Sequence, residues 1–167
     1  MLRRLKEKDV PYMLEWMHDP DINSIFSVDF ASFTEKMARE FVEQSFCAEN
    51  QHFAVVNNQD EYQGTISLKN ISGKDHNAEY AVVFRKQAHG TGISSVATKE
   101  ILEYAFNDLK LERVYLNVLE ENHRARAFYK KMGFIEEGIF RKHKCINGKF
   151  QDLYWFGILK ESFINKD

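Results

Sequence analysis

The residues of this chain that most directly suggest chemistry are Gln87-Ala88-His89-Gly90-Thr91-Gly92. An apolar, β-branched run from Ala78 to Phe84 leads into them and an amphipathic run to Leu109 follows, which reads as strand, glycine loop, helix. Glycines at a helix N-terminus aim unpaired backbone N–H groups and the positive end of the helix dipole at one point, and that arrangement binds phosphate. A phosphate-bearing ligand is expected there. Gly-x-Gly by itself is also a common turn, and Gly90 could serve only as a left-handed corner.

A second segment narrows the choice. About thirty residues on, after the apolar strand Arg113 to Leu119, comes Asn122-His123-Arg124-Ala125-Arg126-Ala127-Phe128-Tyr129-Lys130-Lys131-Met132-Gly133-Phe134. Gln87-x-x-Gly90-x-Gly92 followed by Asn122-x-x-Ala125-x-x-x-Tyr129-x-x-x-Gly133-Phe134 resembles the GNAT superfamily of acetyl-CoA-dependent N-acetyltransferases. In the first half, Leu2 to Leu5, Val10 to Met17 and Asp19-Pro20-Asp21 look more loosely like the branch holding ribosomal-protein N-terminal and amino-sugar acetyltransferases.

The resemblance implies an α/β (mixed α+β) fold: a central, mostly antiparallel twisted sheet of six to seven strands, splayed at a V-shaped cleft and flanked by about four helices. It implies acetyl-CoA as co-substrate and no metal. The amides of Gln87, Ala88, His89, Gly90, Thr91 and Gly92 would hold the pyrophosphate, and the backbone of Val82, Val83 and Phe84 would pair with the pantetheine arm as if with an added strand. Asn122 would offer its amide to the same arm while also capping a helix. Tyr129 takes the position of the tyrosine that lines the cofactor and protonates the departing thiolate. Glu79 lies on the strand where the family often carries a catalytic glutamate. Alternation along that strand lets only one of Glu79 and Tyr80 enter the cleft, and His76 or an ordered water is the fallback base. His89 departs from the glycine or lysine frequent at its position.

Such an enzyme must place an uncharged amine against the thioester carbonyl, stabilise the oxyanion and protonate the leaving thiolate. An alkyl amine, with a pKa of about 10.4, arrives protonated and needs a base, whereas a phenol with a pKa of about 10 can donate at neutral pH. The favoured acceptors are a protein N-terminus and a nucleotide-linked amino sugar, because Arg141-Lys142-His143-Lys144 would suit a phosphorylated or RNA-rich partner and repel a polycation. The alternatives are a polyamine or other small amine, and an acyl-CoA-binding module without turnover.

Composition sets looser bounds. The 167 residues, 44% hydrophobic and 14% aromatic, suit a single N-acetyltransferase domain over 1-167 with one substantial core. A net charge of −2 gives no global field toward nucleic acid or membrane, so neither is expected as a partner. No apolar run approaches the roughly 20 residues of a membrane span, and Met1 to Lys8 lacks a signal-peptide core, so a cytoplasmic monomer or homodimer is expected. Cys47 and Cys145 have no metal-ligand spacing, and Cys145 among lysines reads as a solvated thiol rather than a nucleophile.

The elements follow from periodicity. Val10, Met13, Leu14 and Met17 recur at helical spacing behind Pro11, as do Phe33, Met37, Phe41 and Val42 behind a cap at Ser32 or Thr34. The intervening Asn23 to Phe30 is a candidate substrate lip. Strands are expected at His52 to Asn57, Gly64 to Leu68 and Ala78 to Phe84, then a long helix with Ile93, Val96, Ala97, Ile101, Ala105 and Leu109 inward. Gly133 should end the helix from Asn122, and Asn147-Gly148 should turn a final hairpin. A dinucleotide fingerprint fails because Ser95 stands at the third glycine, and a P-loop fails for want of Gly-Lys-Ser/Thr.

Overall fold

The computed structural model describes residues 1–23, 26 and 28–164. Seven strands form one sheet: β1 (Leu2–Arg4), β2 (Gln51–Val56), β3 (Tyr62–Ser72), β4 (Asn77–Phe84), β5 (Arg113–Leu119), β6 (Ile135–Ile146) and β7 (Lys149–Leu159). Their order across the sheet is β1-β2-β3-β4-β5-β7-β6, and every neighbouring pair is antiparallel except β4 with β5. The helices are α1 (Val10–Met17), α2 (Pro20–Asn23), α3 (Glu35–Glu43), α4 (Ile93–Glu103), α5 (His123–Met132) and α6 (Lys160–Ile164). The two beyond the expected four, α2 and α6, span only four and five residues, too short to show a helical period in sequence.

Local chemistry explains most boundaries. Thr34 accepts from the Met37 amide at 3.3 Å and starts α3, while Gly133 takes φ 98° to end α5. Asn147 and Gly148, both left-handed at φ 50° and 77°, turn the β6–β7 hairpin. Two expectations need correction. The long helix does not run regularly to Leu109, because its last turn, Tyr104–Asp108, widens into a π-helical turn in which Ala105 and Phe106 are both buried. Val96 is not inward but 59% exposed, since the buried stripe of α4 is Ala97, Thr98, Ile101 and Leu102.

The sheet carries a core on each face. On one, α4 and α5 cover Tyr80, Val82, Phe84, Leu116, Val118 and Phe156. On the other, Met13, Trp16 and Met17 of α1 pack with Ala54, Val56, Tyr62 and Val83. Trp16 also touches Phe26 and Phe30, with ring centroids 6.2 and 5.1 Å away, so these two aromatics of the candidate lip serve core packing. Ser24, Ile25 and Ser27 of that lip lie outside the described residues.

Candidate active site

The site follows from how two parallel strands separate. β4 pairs with β5 only through Asn77, Ala78 and Glu79, opposite Arg113, Val114 and Tyr115. From Tyr80 to Phe84 the β5-facing edge of β4 has no ladder partner, although its other edge stays paired to β3 from Gly64 to Leu68. Beyond Tyr115, β5 bonds on its other side to β7. The result is a V whose open arm on one side is the backbone of Val82, Val83 and Phe84, able to accept an extended amide chain as an added strand. Gly64 lets the end of β4 close in, since a β-carbon there would meet the Val83 carbonyl oxygen at 2.3 Å.

At the wide end of the V sits the glycine loop. Gly90 and Gly92 are left-handed, at φ 79° and 84°, and a β-carbon on either would meet nothing within 4 Å. Gly92 is the N-cap of α4 and offers no side-chain cap, and among the described residues the Gly90 and Gly92 amides donate to no backbone acceptor. Open space, free donors and the positive helix end therefore meet at one place, which suits an anion. His89 lies beside Arg124 of α5 and Lys86; burial, then these two cations, lower its pKa. Gln87 turns its side chain back toward Glu61 and Arg85, leaving only its backbone for a ligand. Arg85 is itself buried between Glu15 and Glu61, and this ties the end of β4 to α1. Ala88 is buried, whereas Thr91 is exposed and folds its hydroxyl back onto the Ala88 carbonyl at 2.8 Å.

At the narrow end the two candidate catalytic groups approach from opposite faces of the sheet. Tyr80 points to the α4 and α5 side, where its hydroxyl meets Thr98 at 2.9 Å and its ring stands 6.0 Å from that of Tyr129. Glu79 therefore takes the other face. Its carboxylate receives Lys69 at 3.1 Å, Asn70 at 3.0 Å and Asn117 at 3.4 Å. Tyr129 is 9% exposed among Tyr80, Phe134 and Phe156, and burial alone pushes its pKa up to about 12. A phenol so raised stays protonated at neutral pH and can act only as a proton donor.

Asn122 caps α5, its side-chain oxygen accepting from the Ala125 amide at 3.1 Å, which leaves its NH2 for another partner. His76 is not brought to this place: it lies in the turn beyond the paired end of the V, against the Lys110 carbonyl. Arg126 and Lys130 both turn toward Glu136. Lys69, Asn117, Tyr115 and Trp155 at the narrow end escaped sequence reasoning. The signal for two of them was present, since Tyr115 and Asn117 interrupt the apolar Val114, Leu116 and Val118, but only the strand order shows what they face. A concavity of about 520 Å3 on the outer side of α4, lined by residues such as Val96, Lys99 and Met132, has no comparable convergence of backbone donors. Among the described residues no group of His, Cys, Asp and Glu could hold a metal ion, and no helix is long and apolar enough to cross a membrane.

A splayed β4–β5 pair, a glycine loop at a helix N-terminus and a buried tyrosine together make a candidate acyltransferase site. The family model described as acetyltransferase (GNAT) domain matches residues 1–135, and the chain belongs to this family. It is an acetyl-CoA-dependent N-acetyltransferase. Spermidine N(1)-acetyltransferase of Vibrio cholerae serotype O1 is 27% identical over 166 residues, covering 99% of this chain and 95% of that protein. A crystal structure of spermidine N-acetyltransferase from V. cholerae in complex with CoA and spermine superposes with a TM-score of 0.91 at 25% identity, over 99% of this chain and 98% of that one. A dodecameric structure of the V. cholerae enzyme matches with a TM-score of 0.82 at 26% identity, over 100% and 97%.

Proposed function

We propose that this enzyme transfers the acetyl group of acetyl-CoA to a primary amine of an aliphatic polyamine, by direct attack within a ternary complex. The observation that carries the reading is the V itself: an unpaired edge of β4 runs up to a glycine loop with open space around it, and the narrow end presents Glu79 on one face and Tyr129 on the other. Gln87 to Gly92 hold the diphosphate through backbone amides, Val82 to Phe84 and Asn122 hold the pantetheine arm, and the thioester lies at the narrow end. The acceptor enters from the face of Glu79. Its ammonium loses a proton to Glu79, directly or through water, and the free nitrogen bonds to the acetyl carbon. The carbon–sulfur bond then breaks and the thiolate takes its proton from Tyr129, while the acylated nitrogen sheds its remaining extra proton to solvent as the amide forms and solvent reprotonates Tyr129.

The sequence match and the structural match to the V. cholerae spermidine acetyltransferase, each over nearly the whole chain, support the polyamine class over the protein N-terminus and the nucleotide sugar. They also favour an assembly larger than a monomer or homodimer, in keeping with the dodecameric relative. A phosphorylated amine is the second reading, favoured by the exposed Arg141, Lys142 and His143. Thiol release from acetyl-CoA against a panel of polyamines, N-terminal peptides and amino sugars separates them. Spermidine-like amines should give the highest kcat/KM; a preference for a phosphorylated amine would replace the reading.

A further inference from the structure

The face of the sheet that Glu79 occupies continues across β5, β7 and β6 into side chains the reaction above does not use. Register sets Tyr115 beside Glu79, Trp155 opposite Asn117, and Phe140 one step farther along β6. The rings confirm the row: Tyr115 to Trp155 is 6.0 Å between centroids and Trp155 to Phe140 is 5.2 Å. Gly138 stands across from Trp155, and a β-carbon there would meet nothing within 4 Å, so open space is left beside the indole. Phe140 is 49% exposed. The Trp155 indole N–H is shut off from solvent with no acceptor. At the inner end of the row stands the Glu79 carboxylate, close enough to hold the Tyr115 hydroxyl protonated, with its pKa raised by burial and then by that charge.

We propose that Tyr115, Trp155 and Phe140 form the platform that selects the acceptor, seating its methylene stem and its second, non-reacting ammonium over the indole ring. The inference rests on the aliphatic-amine reading of the site and adds the residues that would enforce it. Aromatic faces attract a cation through the ring quadrupole and cover methylenes at the same time. Charge fixes where that second ammonium stops. Beyond Phe140 come His143, 5.3 Å from its ring, and the exposed Arg141 and Lys142, which oppose a cation that travels farther. An anionic acceptor gains nothing from the row and meets the Glu79 carboxylate at its inner end.

Steady-state kinetics with unbranched diamines of increasing length, on the native enzyme and on Trp155→Ala, tests this. In the native enzyme the diamine KM should fall as the chain lengthens to reach the indole. Trp155→Ala should raise the KM of the longer diamines about tenfold and flatten that dependence, with the acetyl-CoA KM unchanged; Trp155→Phe should keep most of the effect. Because Phe140 is half-exposed, Phe140→Ala keeps the test open if Trp155→Ala does not fold, and should raise the same KM about threefold. A native enzyme active on diamines whose variants keep both the KM and its length dependence overturns the platform alone. A native enzyme that acetylates no diamine overturns the acceptor reading and the platform with it.

Discussion

Tyr129 concentrates the proposed chemistry in one atom. Its ring is buried among those of Tyr80 and Phe156, no protein group explains its raised pKa, and its role in the fold is that of an aromatic ring. Tyr129→Phe should therefore leave thermal stability within about 1 kcal/mol and lower kcat by about a hundredfold, since a positioned general acid contributes that order of rate. Equal loss of stability and rate would make the residue structural. Local turn and cap patterns singled out Gly90, Gly92 and Asn122 as structural positions, whereas the role expected of Tyr129, inside α5, came only from the family resemblance of Asn122-x-x-Ala125-x-x-x-Tyr129. The direction of Glu79 was not readable in the same way. Alternation said that Glu79 and Tyr80 diverge, but Thr98 on α4 draws Tyr80 one way, and Lys69, Asn70 and Asn117, up to 38 residues distant, hold Glu79 the other way.

The glycine loop and α4 act together, and backbone conformation is what joins them. An L residue at φ 84° costs about 1–2 kcal/mol, yet a β-carbon on Gly92 meets nothing within the protein. Gly92→Ala should thus fold with a modestly lower melting temperature and bind CoA at least about tenfold more weakly by calorimetry, because the added carbon intrudes on the ligand. Gly148→Ala, with a similar φ of 77° and equally open space in the distant hairpin turn, should show the same strain with unchanged CoA affinity. Hairpin β6–β7 and the ends of α3 and α5 were legible because a cap or a turn residue dictates each. The inward face of α4 and its π-helical turn was legible in Ala97, Ile101 and Ala105, all buried, but not at Val96, which fits the period yet is exposed, or at Thr98, which is buried and meets the Tyr80 hydroxyl.

For the molecule as a whole, stability should depend on pH through His52. Burial beneath Phe41, 4.8 Å away, pushes its pKa down to about 4, with Lys69 adding to the shift. The unfolded chain, where the histidine titrates near 6.5, binds the proton more readily, so His52 contributes stability above about pH 6.5 that is lost as pH falls toward 4. Chemical denaturation should show a decline of about 2–3 kcal/mol over that window, reduced in His52→Gln. An unchanged decline in the variant would place the sensitive group elsewhere. The sheet order was beyond sequence reading for a comparable reason, since β7 inserts between β5 and β6 through contacts that no local pattern encodes.

The central claim is that the open edge of β4 and the amides before α4 grip acetyl-CoA. Amide hydrogen exchange with and without CoA tests it directly. Peptides covering Val82–Phe84 and Gln87–Gly92 should slow on binding, while the concavity on the outer side of α4 should not. Protection confined to that outer side, with both peptides exchanging as in the free enzyme, would contradict the account.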